Sequence, residues 1–264
     1  MASSDTAAVR PIAPVAQGSN GASLDWAWRG LKVFLALAAL PACLGFSEAL
    51  YPYFWTWKAE LRIAVIGVPA EFKWFLGGLF GVLLYMAVST RPTRFYVLAH
   101  ELVHAMATWL CLGKVSNLKA SATGGQVTTS KTNTFIRLAP YFVPLYVVLA
   151  VGIFAGLDAW WRPLGDYRWV LAGVLGAGFC FHACFTVISL KLDQPDLKAD
   201  GWFFSLVLIY FLNVLILAGI LGMALTGKLS GAWDALSGVW RMGVEQSGEL
   251  YRNLWSNLRS LLGR

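Results

Sequence analysis

Residues 95–112 read FYVLAHELVHAMATWLCL, placing His100, Glu101 and His104 along one apolar helix. Residues four apart share a helix face, so both imidazoles can reach one metal ion, while Glu101, about 100° round, can reach a water beside it. This is the HExxH pattern. Zinc (Zn2+) held by two histidines and a third ligand leaves a position for water and lowers its pKa toward ~7. Glu101 then takes the proton as general base, and the chemistry implied is peptide hydrolysis. With three His and six Glu among 264 residues, the spacing would arise by accident on the order of once in a thousand chains. An apolar helix also carries such polar groups at high cost unless they are used.

The composition around this helix is that of a membrane protein. Hydrophobic residues make up 58% of the chain, charged residues only 13%, and there are 13 Trp; ordinary globular usage is far more polar. The expected fold is all-α and polytopic, with a lipid bilayer as surroundings. A net charge of +7 suits anionic lipid head groups, and no nucleic-acid-binding motif accompanies it, so nucleic acid is excluded as a partner. Cys43, Cys111, Cys180 and Cys184 all sit in apolar runs, without zinc-ribbon or disulfide-framework spacing, and read as buried thiols.

Residues 1–22 are rich in Ala, Ser, Pro and Gly without apolar periodicity and read as a disordered tail. A membrane domain over 23–227 follows, with about six transmembrane helices: near 31–50, 74–90, the HELVH helix, 138–157, 169–190 and 201–227. Residues 51–73 mix aromatics with charges and suit a membrane surface, with a possible strand at 61–68. Pro92, in the turn at 89–94, ends the span before the HELVH helix. Pro140 and Pro144 should bend the 138–157 run, and Ala172, Gly173, Gly176 and Ala177 give the next run a small face for close helix approach. Residues 228–264 place Tyr251, Leu254, Trp255, Leu258, Leu261 and Leu262 on one face, an amphipathic interfacial helix.

The polar stretch 114–134, KVSNLKASATGGQVTTSKTNT, carries Gly124-Gly125 between two strand-like runs and predicts a small β-hairpin. A hairpin edge beside a protease site can bind an extended substrate by strand addition, which makes Gly124, Gly125 and Val127 candidate substrate-binding residues. A helical membrane substrate has to unwind before it can be cut.

These elements together resemble the site-2 protease family of intramembrane zinc metalloproteases: HELVH in a hydrophobic helix, a GlyGlyGlnVal (124–127) hairpin, a LeuAlaProTyrPhe (138–142) helix start, and a later aspartate-bearing helix end. The resemblance runs from about Trp74 to Leu225. It implies cleavage of membrane protein substrates, with His100 and His104 as zinc ligands and Glu101 as base. Family members typically take the third ligand from an Asp in an AsnProAspGly or LeuAspGly motif, and neither occurs here. The nearest matches are AspGlnProAspLeu (193–197) and AspGly (200–201).

His182 and Asp196 therefore compete as third ligand, His182 being the choice and Asp196 the alternative, with Asp193 and Asp200 behind them. His182 is the only remaining histidine and lies inside the 169–190 run. If every span crosses fully, His182 lies roughly 20 Å deep and His104 roughly 15 Å, whereas Asp196 emerges on the opposite face. An alternative to the protease is a non-catalytic membrane scaffold with a structural or vestigial metal site. Glu101 discriminates, since a structural zinc needs no carboxylate poised beside it.

Overall fold

The computed structural model describes residues 22–63, 70–88, 93–121, 124–160, 167–192 and 194–263. Residues 1–21 of the expected 1–22 tail, most of the 89–94 turn, residues 64–68 of the possible strand, and Asp193 lie outside these residues. The chain runs α1 (Ala22–Ile63), α2 (Ala70–Val88), α3 (Thr93–Leu110), β1 (Val115–Ser121), β2 (Gly124–Thr129) and α4 (Thr134–Leu138). A 3-10 turn at Ala139–Tyr141 leads to α5 (Leu145–Trp160), α6 (Arg168–Leu190), α7 (Pro195–Asp200), α8 (Trp202–Thr226) and α9 (Ser230–Leu261). Residues 61–63, expected to begin a strand, instead finish α1.

Six full crossings are not what forms. Among the described residues, three helices are long and apolar enough to cross a membrane: the Trp26–Tyr53 part of α1, α6 and α8. A fourth is possible if the pair Thr134–Tyr141 and Leu145–Trp160, bent by 80°, counts as one broken span. The break falls where Pro140 and Pro144 deny the helix two backbone donors, leaving α5 with 16 residues. Phe72–Val88 of α2 is apolar but short. The HELVH helix falls short because its 18 residues spend positions on Arg94, His100, Glu101 and His104.

Close backbone approach holds the helices together. A Cβ on Gly176 would lie 1.9 Å from the Phe75 carbonyl oxygen, and one on Gly78 would lie 1.9 Å from that of Gly173. The small face of α6 thus lets α2 approach nearly to backbone contact, as in membrane helix pairs. Gly222 of α8 meets the Gly231 carbonyl of α9 in the same way, at 2.0 Å. The amphipathic C-terminal segment is one helix, and its first half packs through Ala235, Val239 and Gly243; only residues 251–263 are exposed throughout. Apolar side chains such as Phe34, Leu44, Leu84 and Ile153 face outward, more apolar surface than a soluble protein presents.

Three clusters fill the interior, the smallest joining Ala36 and Cys43 of α1 to Val207 of α8; the other two position the site. The larger joins α1, α2, α6, α8 and α9 around Phe46, Phe75, Leu175, Leu221 and Val239. The second joins Val103 and Ala107 of α3 to Ile136, Tyr141, Leu197 and Ile209. It forms the floor on which the polar residues of α3 stand. The expected hairpin is present as a two-stranded antiparallel sheet pairing Val115 with Thr129 and Ser121 with Gly124. Its register slips between Ser116 and Lys119, where Asn117 takes a left-handed φ of 60°, a conformation asparagine tolerates better than most residues.

Candidate metal centre

His104 has a defined tautomer. Its Nδ1 lies 2.8 Å from the Ile136 carbonyl oxygen, and since a carbonyl only accepts, Nδ1 carries the hydrogen and Nε2 keeps its lone pair. The Ile136 carbonyl is in place because Asn133 caps α4, its Oδ1 accepting from the Ile136 N–H at 2.8 Å. His100 is held one turn earlier, with Nδ1 3.1 Å from the Tyr96 hydroxyl, which in turn contacts Ser189 Oγ of α6. The Tyr96 hydroxyl can take a hydrogen from His100 Nδ1 and pass its own to Ser189, the arrangement in which His100 Nε2 keeps its lone pair. Tyr96 is four residues before His100, so its place on that face could have been read from the sequence.

The two Nε2 atoms converge on one carboxylate. Asp196 Oδ2 lies 3.5 Å from His104 Nε2 and 3.9 Å from His100 Nε2. Among the described residues, His100, His104 and Asp196 form the group whose ligand atoms all lie within 4.8 Å of one another. Tetrahedral zinc with bonds near 2.0–2.1 Å separates its ligand atoms by about 3.3 Å, so this donor set needs little movement to close on an ion. His104 Nε2, Asp196 Oδ2 and Glu101 Oε2 are all buried with no hydrogen-bond partner among the described residues. Buried polar atoms are rarely left so, and a cation at their centre would satisfy the first two at once. Two imidazoles and a carboxylate are a donor set zinc accepts.

The geometry brings Asp196, rather than His182, beside the two α3 histidines. His182 stands outside the three-residue group, although it lines a small cavity of about 20 Å³ with His100, Tyr96 and Phe181. Its Nε2 is buried with no hydrogen-bond partner among the described residues. The six crossings behind the depth argument for His182 do not form: the chain breaks at Pro140 and Pro144, and Asp196 of α7 lies beside the α3 histidines. Asp200 is engaged elsewhere. Its carboxylate takes Lys32 Nζ and Thr134 Oγ1 on Oδ1, the latter at 2.9 Å, and Arg137 Nε and Nη2 on Oδ2 at 2.8 and 2.7 Å. Burial would raise the Asp200 carboxyl, but these hydrogen bonds outweigh it and hold it below the usual carboxylate range. No sequence signal points to this cluster, because Lys32 is 168 residues from Asp200.

The hairpin residues are also placed. Gly125 lies against Glu101, where an added Cβ would fall 2.5 Å from Glu101 Cγ and 2.7 Å from Oε1. Gly124 has a φ of 152°, backbone that favours glycine. Val127 is buried, at 6% exposure, with its backbone in β2. Asn213, inside the 201–227 run, donates to the Tyr141 carbonyl at 2.9 Å and ties α8 to the turn below the site.

No family model, curated protein or solved structure matches the chain.

Proposed function

We propose that this protein is a multi-pass intramembrane zinc metalloprotease, similar to site-2 proteases, that hydrolyses peptide bonds of membrane-embedded protein substrates. The observation that carries the reading is the convergence of His100, His104 and Asp196 beside a buried Glu101 whose Oε2 lacks a partner. His100, His104 and Asp196 would hold the ion through Nε2, Nε2 and Oδ2. Zinc, when bound, supplies a Lewis acid that polarises the peptide carbonyl and makes water nucleophilic near neutral pH. Glu101 receives the proton of the attacking water at its carboxylate and can return it to the leaving amine. The Ile136 carbonyl and Tyr96 hydroxyl orient the two imidazoles, an outer shell that metal-ligating histidines ordinarily have. The hairpin is two-stranded among the described residues, so β2 retains an edge beside Glu101 on which an unwound substrate could add as a strand.

A non-catalytic scaffold with a structural metal remains the second reading, favoured by the way Gly125 closes over Glu101. The deciding experiment measures zinc content and cleavage of a single-span substrate for the detergent-purified wild type and Glu101→Gln. The expected outcome is one zinc in both proteins and a loss of cleavage of at least about 100-fold in the variant. Zinc in both with no cleavage by either across a panel of single-span substrates supports the scaffold. Undiminished cleavage by Glu101→Gln refutes its role as base.

A further inference from the structure

We propose that Asp200 is a positioning residue of the metal site: a buried clamp holding the helix that bears Asp196 against the turn whose carbonyl orients His104. The inference rests on the zinc reading above and assigns a role to a residue that does not touch the ion.

The two segments that complete the site beyond α3 are both very short. Asp196 sits on α7, which has 6 residues, and the Ile136 carbonyl sits on α4, which has 5. Helices of that length have no stability of their own, so tertiary contacts must fix where they lie. Part of the fixing is apolar, through Leu197 and Ile136 in the second core cluster. Apolar packing alone is weakly directional, and a metal site requires its ligand atoms to be placed within about 0.2 Å.

Asp200 supplies direction. It is the last residue of α7, one turn after Asp196, and is 1% exposed. Arg137, which pairs with it through two guanidinium nitrogens, directly follows Ile136, whose carbonyl accepts from His104. Thr134 adds a bond from the first turn of the same helix, and Lys32 adds one from α1. One carboxylate thus takes four donors from α4 and α1, close to the full capacity of its two oxygens. This also explains why the aspartate before Gly201 is not the third ligand: its lone pairs are spent. A buried ion cluster adds little net stability over a well-packed apolar replacement; what it adds is a fixed relation between α4 and α7, and so between His104 and Asp196.

The test uses the full-length protein in detergent micelles. Zinc affinity is measured by competition with a chromophoric chelator, ligand geometry by the visible spectrum of the Co2+-substituted protein, and fold by far-UV circular dichroism. Asp200→Asn should keep the helical signal, weaken zinc binding about 10- to 100-fold, the usual consequence of losing an outer-shell partner, and alter the cobalt bands. An Asp200→Asn protein that keeps wild-type affinity and cobalt spectrum overturns the proposal. Should that variant fail to fold, Arg137→Gln decides, since it removes two of the three donors that α4 gives the carboxylate while leaving Thr134 of α4 and Lys32 of α1 in place. A folded Arg137→Gln protein with wild-type zinc affinity overturns the clamp, and weakened affinity supports it. Wild-type protein that binds no zinc would refute the metal reading itself, an outcome visible before any variant is made.

Discussion

The backbone of Gly125 lies directly against the side chain of Glu101, so closely that a methyl group there would sit 2.5 Å from Glu101 Cγ. The second hairpin strand thus passes over the carboxylate proposed as base, and a glycine is what lets it do so. Gly125→Ala must push either β2 or Glu101 aside. Because displacement of a catalytic group by about 1 Å can cost on the order of 100-fold, cleavage should fall by about 10- to 100-fold. Zinc content should not change, since no ligand is displaced. Measuring kcat/KM and metal stoichiometry on the same preparation checks this, and wild-type cleavage would show that the contact is slack.

Asp196→Ala should abolish stoichiometric zinc binding, whereas His182→Ala should retain it. The first variant removes one of three converging donors; the second removes an imidazole that borders the cavity without joining the group. Metal analysis of both proteins after dialysis gives the answer. The reverse pattern would restore His182 as the ligand.

Tyr96→Phe leaves His100 Nδ1 without the hydroxyl that now lies 3.1 Å away and cuts the link to Ser189. Loss of a partner of this kind should weaken zinc binding by about 10-fold or more, while the remaining ring contact with Phe185 preserves the fold. Isothermal titration with zinc would expose an unchanged affinity, which would count against this orienting role.

Acid should loosen the Asp200 cluster. The folded carboxyl is held below its ordinary value by Lys32, Arg137 and Thr134 despite burial. Its contribution is therefore complete above the unfolded value near 4 and is lost as pH falls through the folded value. The difference in thermal midpoint between wild type and Asp200→Asn should be full at neutral pH, narrow below about pH 4, and close in stronger acid. A difference that stays constant down to that range would mean the charge contributes nothing.

The sequence by itself determined what is local. His100, Glu101 and His104 share a face because a helix repeats every 3.6 residues, and no tertiary contact is needed to bring them together. Gly124 and Gly125 marked the hairpin, Pro140 and Pro144 marked the break, and the Gly173–Ala177 face marked a close helix contact, each through a backbone property that the residue carries with it. Tertiary structure decided what is remote. Counting apolar residues suggested six crossings, but length and composition leave three helices long enough to cross, or four with the bent pair. That difference moved Asp196 from the far side of the bilayer to within 3.5 Å of His104 and left His182 outside the ligand group. Asp200 gained its role only when α1, α4 and α7 met around it. Helical periodicity acts over a few residues, whereas the meeting of Lys32, Arg137 and Asp200 depends on how helices far apart in the chain pack, and no short-range pattern encodes that.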